Sequence, residues 1–321
     1  ILAVLIATAL AVSVTGCAGN ATSSSDSTSA SSVAESSDTS TQTSADASSE
    51  DESKDESSQE ESKDLEANYT KYTLDGDLTQ HMIDMSRLNE GNKVRLANVI
   101  KKLKNGEEVT VGSITQGTSA GNDLCYAKLT ADWLQKTYSN AKINYVNAGI
   151  GATGSYIGVH RVANDLLSKN PDLVFVEFSV NDTTENTERN KKSYDGLLRT
   201  IWKSSTNPAI ITIATTQEDG TSFQDQHAEI VKHYDLPMIS YRNTILDTIK
   251  HGDIVWKDIS DDNIHPNVPG HKIVSQLLQA YISDVDKDVD NISGSESDFT
   301  TPATDAPIEN GSLIQPSSAT D

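Results

Sequence analysis

Between residues 65 and 283, short apolar runs rich in β-branched residues alternate with stretches of helical periodicity. The apolar runs cover residues 107–111, 143–147, 173–178, 209–215 and 236–240. Apolar positions recur at helical spacing in residues 126–138, 156–168, 193–203, 224–234 and 268–282, and in a helix ahead of the first strand at 93–103. Run 173–178 is almost wholly apolar, as in a strand covered by helices on both faces. The pattern predicts an α/β fold, a three-layer α/β/α sandwich with about five parallel strands.

Polar or glycine-rich segments follow the predicted strands. They cover residues 112–117, 147–155 and 179–182, and a fourth, 262–266, precedes the last helix. Open parallel sheets bind ligands beyond the carboxyl ends of their strands. These segments are therefore predicted to meet at one edge of the sheet and to form its functional site.

The residue types in these segments suit nucleophilic catalysis. A serine hydroxyl such as that of Ser113 needs a base to take its proton, and His265 is a candidate. Asp262, three residues before His265, could hold the other ring nitrogen; Asp261 is a rival, but the spacing favours Asp262. The oxyanion formed by attack on an ester needs hydrogen-bond donors, which the Asn181 amide and the glycine-rich loop can offer.

Taken in order, the four segments resemble the conserved blocks of the SGNH hydrolases, also called GDSL-type hydrolases. The resemblance covers residues 109–282 and implies a flavodoxin-like sheet. It implies Ser113 as nucleophile, His265 as base and Asp262 as the acid that orients it. Its oxyanion hole would combine the Ser113 backbone N–H, the Asn181 side chain and a backbone N–H of the glycine block. The family includes esterases that remove acetyl groups from glycans, as well as lipases and thioesterases.

The chain departs from the family pattern at two places. Ala152 stands where the relatives have a donor glycine, and it can replace that donor if its φ stays negative; Gly151 remains an alternative. In addition, only residues 109–112 precede Ser113 in its strand, fewer than in the relatives. A shortened strand could misplace the nucleophile, because catalysis tolerates little displacement.

The two ends of the chain differ from the middle in composition. Most of the net charge of -22 belongs to residues 18–64 and 284–321, which are predicted to be a disordered acidic stalk and a disordered acidic tail or linker. Residues 1–17 begin with an apolar run and end in Val14-Thr15-Gly16-Cys17. This end resembles a lipoprotein signal peptide with a lipobox, which implies lipidation at Cys17; an ordinary signal peptide is the alternative.

Several kinds of site and partner are not expected. The acidic surface offers no basic patch for nucleic acid. No His, Cys or Asp cluster has the spacing of metal ligands in the sequence, so we expect no metal, and we expect no cofactor. The lone histidines are interpreted as surface or packing residues: His160, His227, His233, His251 and His271. Cys125 is interpreted as a buried thiol.

These observations lead to one hypothesis with two rivals. The chain is expected to be an extracellular serine carboxylic-ester hydrolase, an O-acetyl esterase that acts on carbohydrate, anchored by lipid at the outer face of a bacterial membrane. One rival is a lipase or thioesterase of the same family, with longer acyl chains as substrates. The other is a catalytically silent, glycan-binding surface lipoprotein, which the short first strand would favour.

Overall fold

The computed structural model describes residues 69–117, 121, 123–184, 186–309 and 311–312. All of them belong to the second of two units of the chain, Glu52–Asp321. The predictions about residues 1–64, including lipidation at Cys17, lie outside the described residues. Among the described helices, none has both the length and the apolar character needed to cross a membrane.

The described part of the chain forms a mixed sheet with helices on both sides. The strands are β1 (Arg87–Asn89), β2 (Glu108–Thr115), β3 (Lys142–Asn147), β4 (Leu173–Glu177), β5 (Ala209–Ala214) and β6 (Met238–Ser240). The helices are α1 (Gln80–Ser86), α2 (Val94–Lys104), α3 (Tyr126–Thr137), α4 (Ser155–Asp165), α5 (Thr187–Trp202), α6 (Gln224–His233), α7 (Tyr241–Lys250), α8 (Trp256–Ile259) and α9 (Val268–Lys287). Short 3-10 turns lie at Leu167–Lys169 and Asn181–Thr184.

The strand order is β1-β6-β5-β4-β2-β3, and β2 to β6 are parallel. Alternate residues of the central strands enter two cores: Leu173 and Phe175 pack toward α2, α3, α7 and α9, whereas Val174 and Val176 pack toward α4, α5 and α6. The predicted three-layer sandwich with five parallel strands is therefore confirmed. The sixth strand, β1, is antiparallel to β6 and was not predicted.

Strand β2 is longer than the sequence pattern suggested. It continues past the predicted end at residue 111 as far as Thr115. Its partners explain the extension: residues 108–113 pair with β3, and residues 111–115 pair with β4, so that Thr115 lies opposite Glu177. Ser113 consequently lies inside the sheet, and the strand ends two residues later.

The structure also differs from the prediction for residues 284–309, the described part of the predicted tail. Helix α9 extends to Lys287, and the following segment, 288–309, packs against the domain. Phe299 is 6% exposed and stacks on the rings of Tyr234 and Trp202, with centroid distances of 3.9 and 4.6 Å. The acidic composition suggested disorder, but one aromatic anchor and an ion pair between Glu309 and Arg199 hold this segment in place.

Candidate active site

A cleft of about 390 Å³ lies beyond the carboxyl ends of the parallel strands. It is lined by Gln116, Gly117, Tyr126, Gly151, Ala152, Glu177, Asn181, Thr215, Ile264, His265, Pro266 and His271. These residues end or follow the strands β2 to β5, begin α3, or precede or begin α9, so the chain topology brings them together. The predicted location of the site, and its four contributing segments, thus agree with the structure.

Asp262 and His265 form a hydrogen-bonded pair at this cleft. The Nδ1 atom of His265 lies 2.8 Å from Asp262 Oδ2, while Asp262 Oδ1 accepts the backbone N–H groups of His265 and Ile264 at 2.7 and 2.8 Å. Hydrogen bonds from the His265 backbone and ring lower the pKa of Asp262 well below its ordinary value. An ionised Asp262 keeps the ring proton on Nδ1, so Nε2 is the nitrogen available as a base.

Hydrogen bonds from Trp256 and Ser260 hold the turn that carries this pair. The Trp256 Nε1–H donates to the carbonyl of Asp262 at 2.6 Å, and the buried Ser260 hydroxyl lies 2.8 Å from the Asp262 carbonyl and 2.6 Å from that of His265. The side chain of Asn267 caps α9 by accepting the Gly270 N–H. The His265 ring is 63% exposed, yet its backbone is held at both ends.

Asn181 lies on the turn after β4 and faces the cleft. Its side-chain N–H donates to the Thr153 carbonyl at 3.2 Å, and the amide has a second N–H. The backbone N–H of Asn181 donates to the side-chain oxygen of Gln116 at 2.8 Å, and that of Val180 does so at 3.2 Å. Gln116, at the end of β2, therefore sets the position of Asn181.

Asp182 connects the Asn181 turn to the start of α4. It is fully buried, accepts the Ser155 N–H on Oδ1 at 2.8 Å, and lies 2.9 Å from His227 Nε2 through Oδ2. Its carbonyl accepts the Asn190 amide at 2.8 Å. These contacts give Asp182 and His227 a structural role, one that ties the asparagine turn to the glycine-rich loop.

The glycine-rich loop supplies Gly151 and Ala152 to the cleft. The buried Arg161 guanidinium donates to the carbonyls of Ala148 and Thr115, which fastens this loop to the end of β2. Ala152 has φ 59°, so the condition of a negative φ, under which Ala152 could replace the donor glycine, is not met. A non-glycine residue in the left-handed region costs about 1–2 kcal/mol, which the surrounding contacts must offset.

Glu177 is a buried acid that lines the cleft and that the sequence analysis did not select. Its Oε1 accepts the Ser179 N–H and hydroxyl at 2.9 and 2.6 Å and the Thr215 hydroxyl at 2.8 Å. Burial raises the pKa of Glu177 to about 7, although these hydrogen bonds oppose the shift. In the sequence, only its position at the end of an apolar strand indicates that Glu177 could belong to the site.

His271 is buried at the base of the same cleft. Its ring stacks on Tyr126, and its Nδ1 accepts the Tyr126 N–H at 3.3 Å. Burial lowers the pKa of His271 to about 4, so the ring is neutral at physiological pH. The interpretation of His271 as a packing residue agrees with these contacts.

Ser113 is the predicted site residue that the structure does not bring to the cleft. It is 1% exposed, and its hydroxyl lies 3.5 Å from the Tyr145 hydroxyl on the neighbouring strand. Ser113 precedes Gln116, the first cleft residue of this segment, by three positions, or about 10 Å along an extended strand. The physical reason is the length of β2, because pairing with β4 continues to Thr115.

A second group of chemically active residues lies outside the cleft. His81, Asp247 and His251 hold one potential ligand atom each within 4.8 Å of one another. The expectation of no metal rested on the absence of ligand spacing in the sequence, and this group is brought together by packing instead. His81 is 166 positions away from Asp247 in the chain, so no local spacing could have revealed the cluster.

Comparison with known proteins gives a family match and similar structures. The model of the GDSL-like Lipase/Acylhydrolase family matches residues 112–273. Two crystal structures of a two-domain esterase (CEX) active on acetylated mannans, one co-crystallized with mannopentaose, are each 35% identical to the chain. Their TM-scores are 0.64 and 0.65; each match covers 69% of this chain and 60% or 61% of the esterase. The chain thus spans about 60% of that esterase's length. No curated protein matches.

Proposed function

Because the chain belongs to the GDSL-like Lipase/Acylhydrolase family, we propose that it is a carboxylic ester hydrolase that removes O-acetyl groups from carbohydrate. The observation that carries the proposal is the contact between His265 and Asp262 at 2.8 Å in a cleft that Asn181 also lines. A base, the acid that orients it and an oxyanion donor meet at one edge of the sheet.

The chemistry follows from these positions. His265 Nε2 takes the proton of a hydroxyl, whose oxygen attacks the ester carbonyl. Asn181 Nδ2 stabilises the oxyanion together with the backbone N–H of Gly151, the alternative that remains because Ala152 has a positive φ. Collapse expels the sugar alcohol, which takes the proton from His265 and leaves an acetyl-enzyme. Water, activated by the same base, releases acetate and restores the hydroxyl.

Two serines compete for the role of nucleophile. The family resemblance assigns it to Ser113, which would have to leave its buried position in β2. The chain also has Ser119, two positions after the cleft residue Gly117 and outside the described residues. An experiment that identifies the acylated serine distinguishes them.

The sugar specificity rests on two observations. The similar esterase is active on acetylated mannans, as its name states, at 35% identity. A second cavity of about 430 Å³ shares Ala152 and Asn181 with the cleft and is lined by polar side chains, among them Asn190 and Arg189. Polar side chains beside an aromatic ring, that of Tyr156, next to the reacting carbonyl suit a sugar, and this favours a carbohydrate esterase over a lipase.

We further propose that the protein acts at the outer face of a bacterial membrane. The support is the sequence alone, in which an apolar run precedes Val14-Thr15-Gly16-Cys17. Diacylation of Cys17 would anchor the chain in the membrane. Radiolabelled palmitate should enter the wild-type chain in bacteria and should not enter a Cys17→Ala variant.

The catalytic proposal is tested by activity and by labelling. The full chain should release acetate from p-nitrophenyl acetate and from acetylated mannan, and His265→Ala should lower kcat by about 1,000-fold or more. Peptide mass spectrometry after treatment with a fluorophosphonate probe should find one modified serine. When Ser113→Ala and Ser119→Ala are assayed side by side, the variant that lacks the modified serine should be the inactive one. Full activity in both serine variants would contradict a serine mechanism.

One observation favours a second candidate function. The burial of Ser113 within β2 is what a catalytically silent, glycan-binding member of the family would show. Such a protein would not react with the fluorophosphonate probe and would hydrolyse no acetyl ester. It would still bind acetylated mannan, which would slow its migration in an affinity gel.

A further inference from the structure

We propose that His81, Asp247 and His251 form a binding site for a late first-row transition-metal ion, with Zn²⁺ the expected occupant. The site is independent of the cleft, since none of the three residues lines it. No role in ester hydrolysis is assigned to this site, so its test and that of the catalytic proposal are separate.

The three potential ligands converge on one point. The Oδ2 atom of Asp247 lies 2.6 Å from His81 Nε2 and 3.2 Å from His251 Nδ1. Asp247 and His251 are four residues apart at the end of α7, which places both side chains on one face of the helix. His81 reaches them from α1. Two imidazoles and a carboxylate are a donor set that Zn²⁺ takes in proteins, with water in the fourth position.

The surroundings of the cluster suit a retained ion. The side chains of His81, Asp247 and His251 are only 3, 13 and 16% exposed. The Tyr69 ring stacks on His251 at a centroid distance of 4.1 Å and meets the His81 ring edge-on at 5.3 Å. The aromatic cover and the low exposure limit water access, and this strengthens ligand–metal attraction.

The two contacts to the Asp247 carboxylate require only a small adjustment; the ring nitrogens of His81 and His251 lie within 4.8 Å of each other, and His251 Nδ1 also lies 2.9 Å from the Asp247 backbone carbonyl. Ligands about 2.1 Å from a tetrahedral Zn²⁺ stand about 3.4 Å apart. The contact between His251 and Asp247 is already close to this value at 3.2 Å, whereas that between His81 and Asp247 must open by about 0.8 Å. A rotation of the Asp247 carboxylate supplies that movement, because its second oxygen can replace the first. Bound metal would then fasten α1 to α7.

The test uses the tag-free full chain with Cys17→Ser, so that this thiol cannot act as a competing ligand. After dialysis against EDTA, isothermal titration with ZnCl₂ should give one site per chain. Asp247→Asn and His251→Ala should each weaken Zn²⁺ binding by more than about 100-fold. This loss of affinity is larger than the loss expected when a residue that only hydrogen-bonds to a metal ligand is removed. Co²⁺ should give the visible absorption of a tetrahedral ion in the unsubstituted cluster and lose it in both variants.

His233→Ala is the matched control, because His233 lies on α6, outside the cluster, and its ring contacts the Thr301 carbonyl. It should bind Zn²⁺ as the parent chain does. Amide hydrogen exchange in residues 80–86 should also slow when Zn²⁺ is added to the parent chain and should not slow in His251→Ala. If circular dichroism shows that His251→Ala is unfolded, the near-isosteric Asp247→Asn decides the question. Absence of binding, or equal binding by the parent and both ligand variants, would overturn the proposal and leave a hydrogen-bonded His–Asp–His network.

Discussion

Replacement of Asp262 by Asn changes the chemistry of the His265 ring with little change in shape. Asp262 accepts three hydrogen bonds, from the ring Nδ1–H of His265 and from the backbone N–H groups of His265 and Ile264. The asparagine oxygen can keep both backbone bonds, so the turn should survive. Its NH₂ group would then face Nδ1, and this favours the tautomer with the proton on Nε2. A protonated Nε2 cannot accept the proton of the attacking hydroxyl.

The size of the effect follows from the exposure of the pair. In a buried serine triad the same change lowers kcat by about 10,000-fold, because the wrong tautomer predominates. The side chains of His265 and Asp262 are 63 and 52% exposed, so water competes for both groups and weakens the tautomer preference. We therefore expect kcat to fall by about 100- to 1,000-fold, with KM nearly unchanged since the pair does not hold the substrate.

Asp261→Asn is a matched control, because it removes the same charge one residue away. The backbone carbonyl of Asp261 accepts a hydrogen bond from Lys257. Steady-state hydrolysis of p-nitrophenyl acetate by both variants and the parent chain gives the comparison, with thermal unfolding as the check on folding. Asp261→Asn should stay within about twofold of the parent. An Asp262→Asn enzyme that keeps its full kcat, or a control that loses as much, would refute this role for Asp262.

Three further substitutions test the rest of the structure. Since burial raises the pKa of Glu177 from its ordinary value of 4.5 to about 7, the folded state keeps a proton that the unfolded chain loses, and stability should fall as pH rises through this interval. Urea unfolding of Glu177→Gln should lack that part of the pH dependence. Phe299→Ala should lower the free energy of unfolding by about 3–5 kcal/mol in urea titration, because the ring is buried against Tyr234 and Trp202. Ala152→Gly should raise it by up to about 1 kcal/mol, because φ is 59°.

Each of these has a result that would contradict it. If the pH dependence of the free energy of unfolding is unchanged in Glu177→Gln, then Glu177 is not the group that keeps a proton in the folded state. The burial of His271, whose pKa is lowered to about 4, contributes the opposite slope between pH 4 and 6.5, so His271→Asn serves as the comparison. A Phe299→Ala chain of parental stability would mean that residues 288–309 do not pack on the domain. A destabilised Ala152→Gly would mean that the methyl group contributes more than the backbone strain costs.

The central strands and helices could be predicted because their sequences carry a strong local pattern. Strand β4 is apolar up to its last residue, Glu177, and α9 repeats its apolar residues at helical spacing, so neither needs knowledge of its neighbours. Strand β1 has three half-buried residues and forms only because β6 offers it an edge. The segment after α9 looked disordered because its composition is acidic, and the ring of Phe299 outweighs that composition only once its two aromatic partners are in place.

The candidate site shows the same division between local and non-local information. The pair Asp262 and His265 was predictable because both residues lie on one turn, three positions apart. The cluster of His81, Asp247 and His251 was not, because it depends on the packing of α1 against α7. Gln116 and Glu177 were missed for a related reason, since each contacts a residue that follows a neighbouring strand: Asn181 after β4 for Gln116, and Thr215 after β5 for Glu177.

The position of Ser113 depends on where β2 ends, and local sequence does not determine that end. The motif places a serine directly after a glycine, in the pattern of the family, while the register with β4 carries the strand on to Thr115. Strand pairing exchanges backbone hydrogen bonds at each step, so moving Ser113 to the cleft would require β2 to lose its pairs at residues 113–115 or to slip along both neighbours. A slip by an odd number of residues would turn Val109 and Val111 from one core to the other, and a slip by two would still leave Ser113 about 3 Å short of the position now held by Gln116. If the probe modifies Ser113, the sheet must therefore rearrange around it; if it modifies Ser119, the sheet can stay as it is.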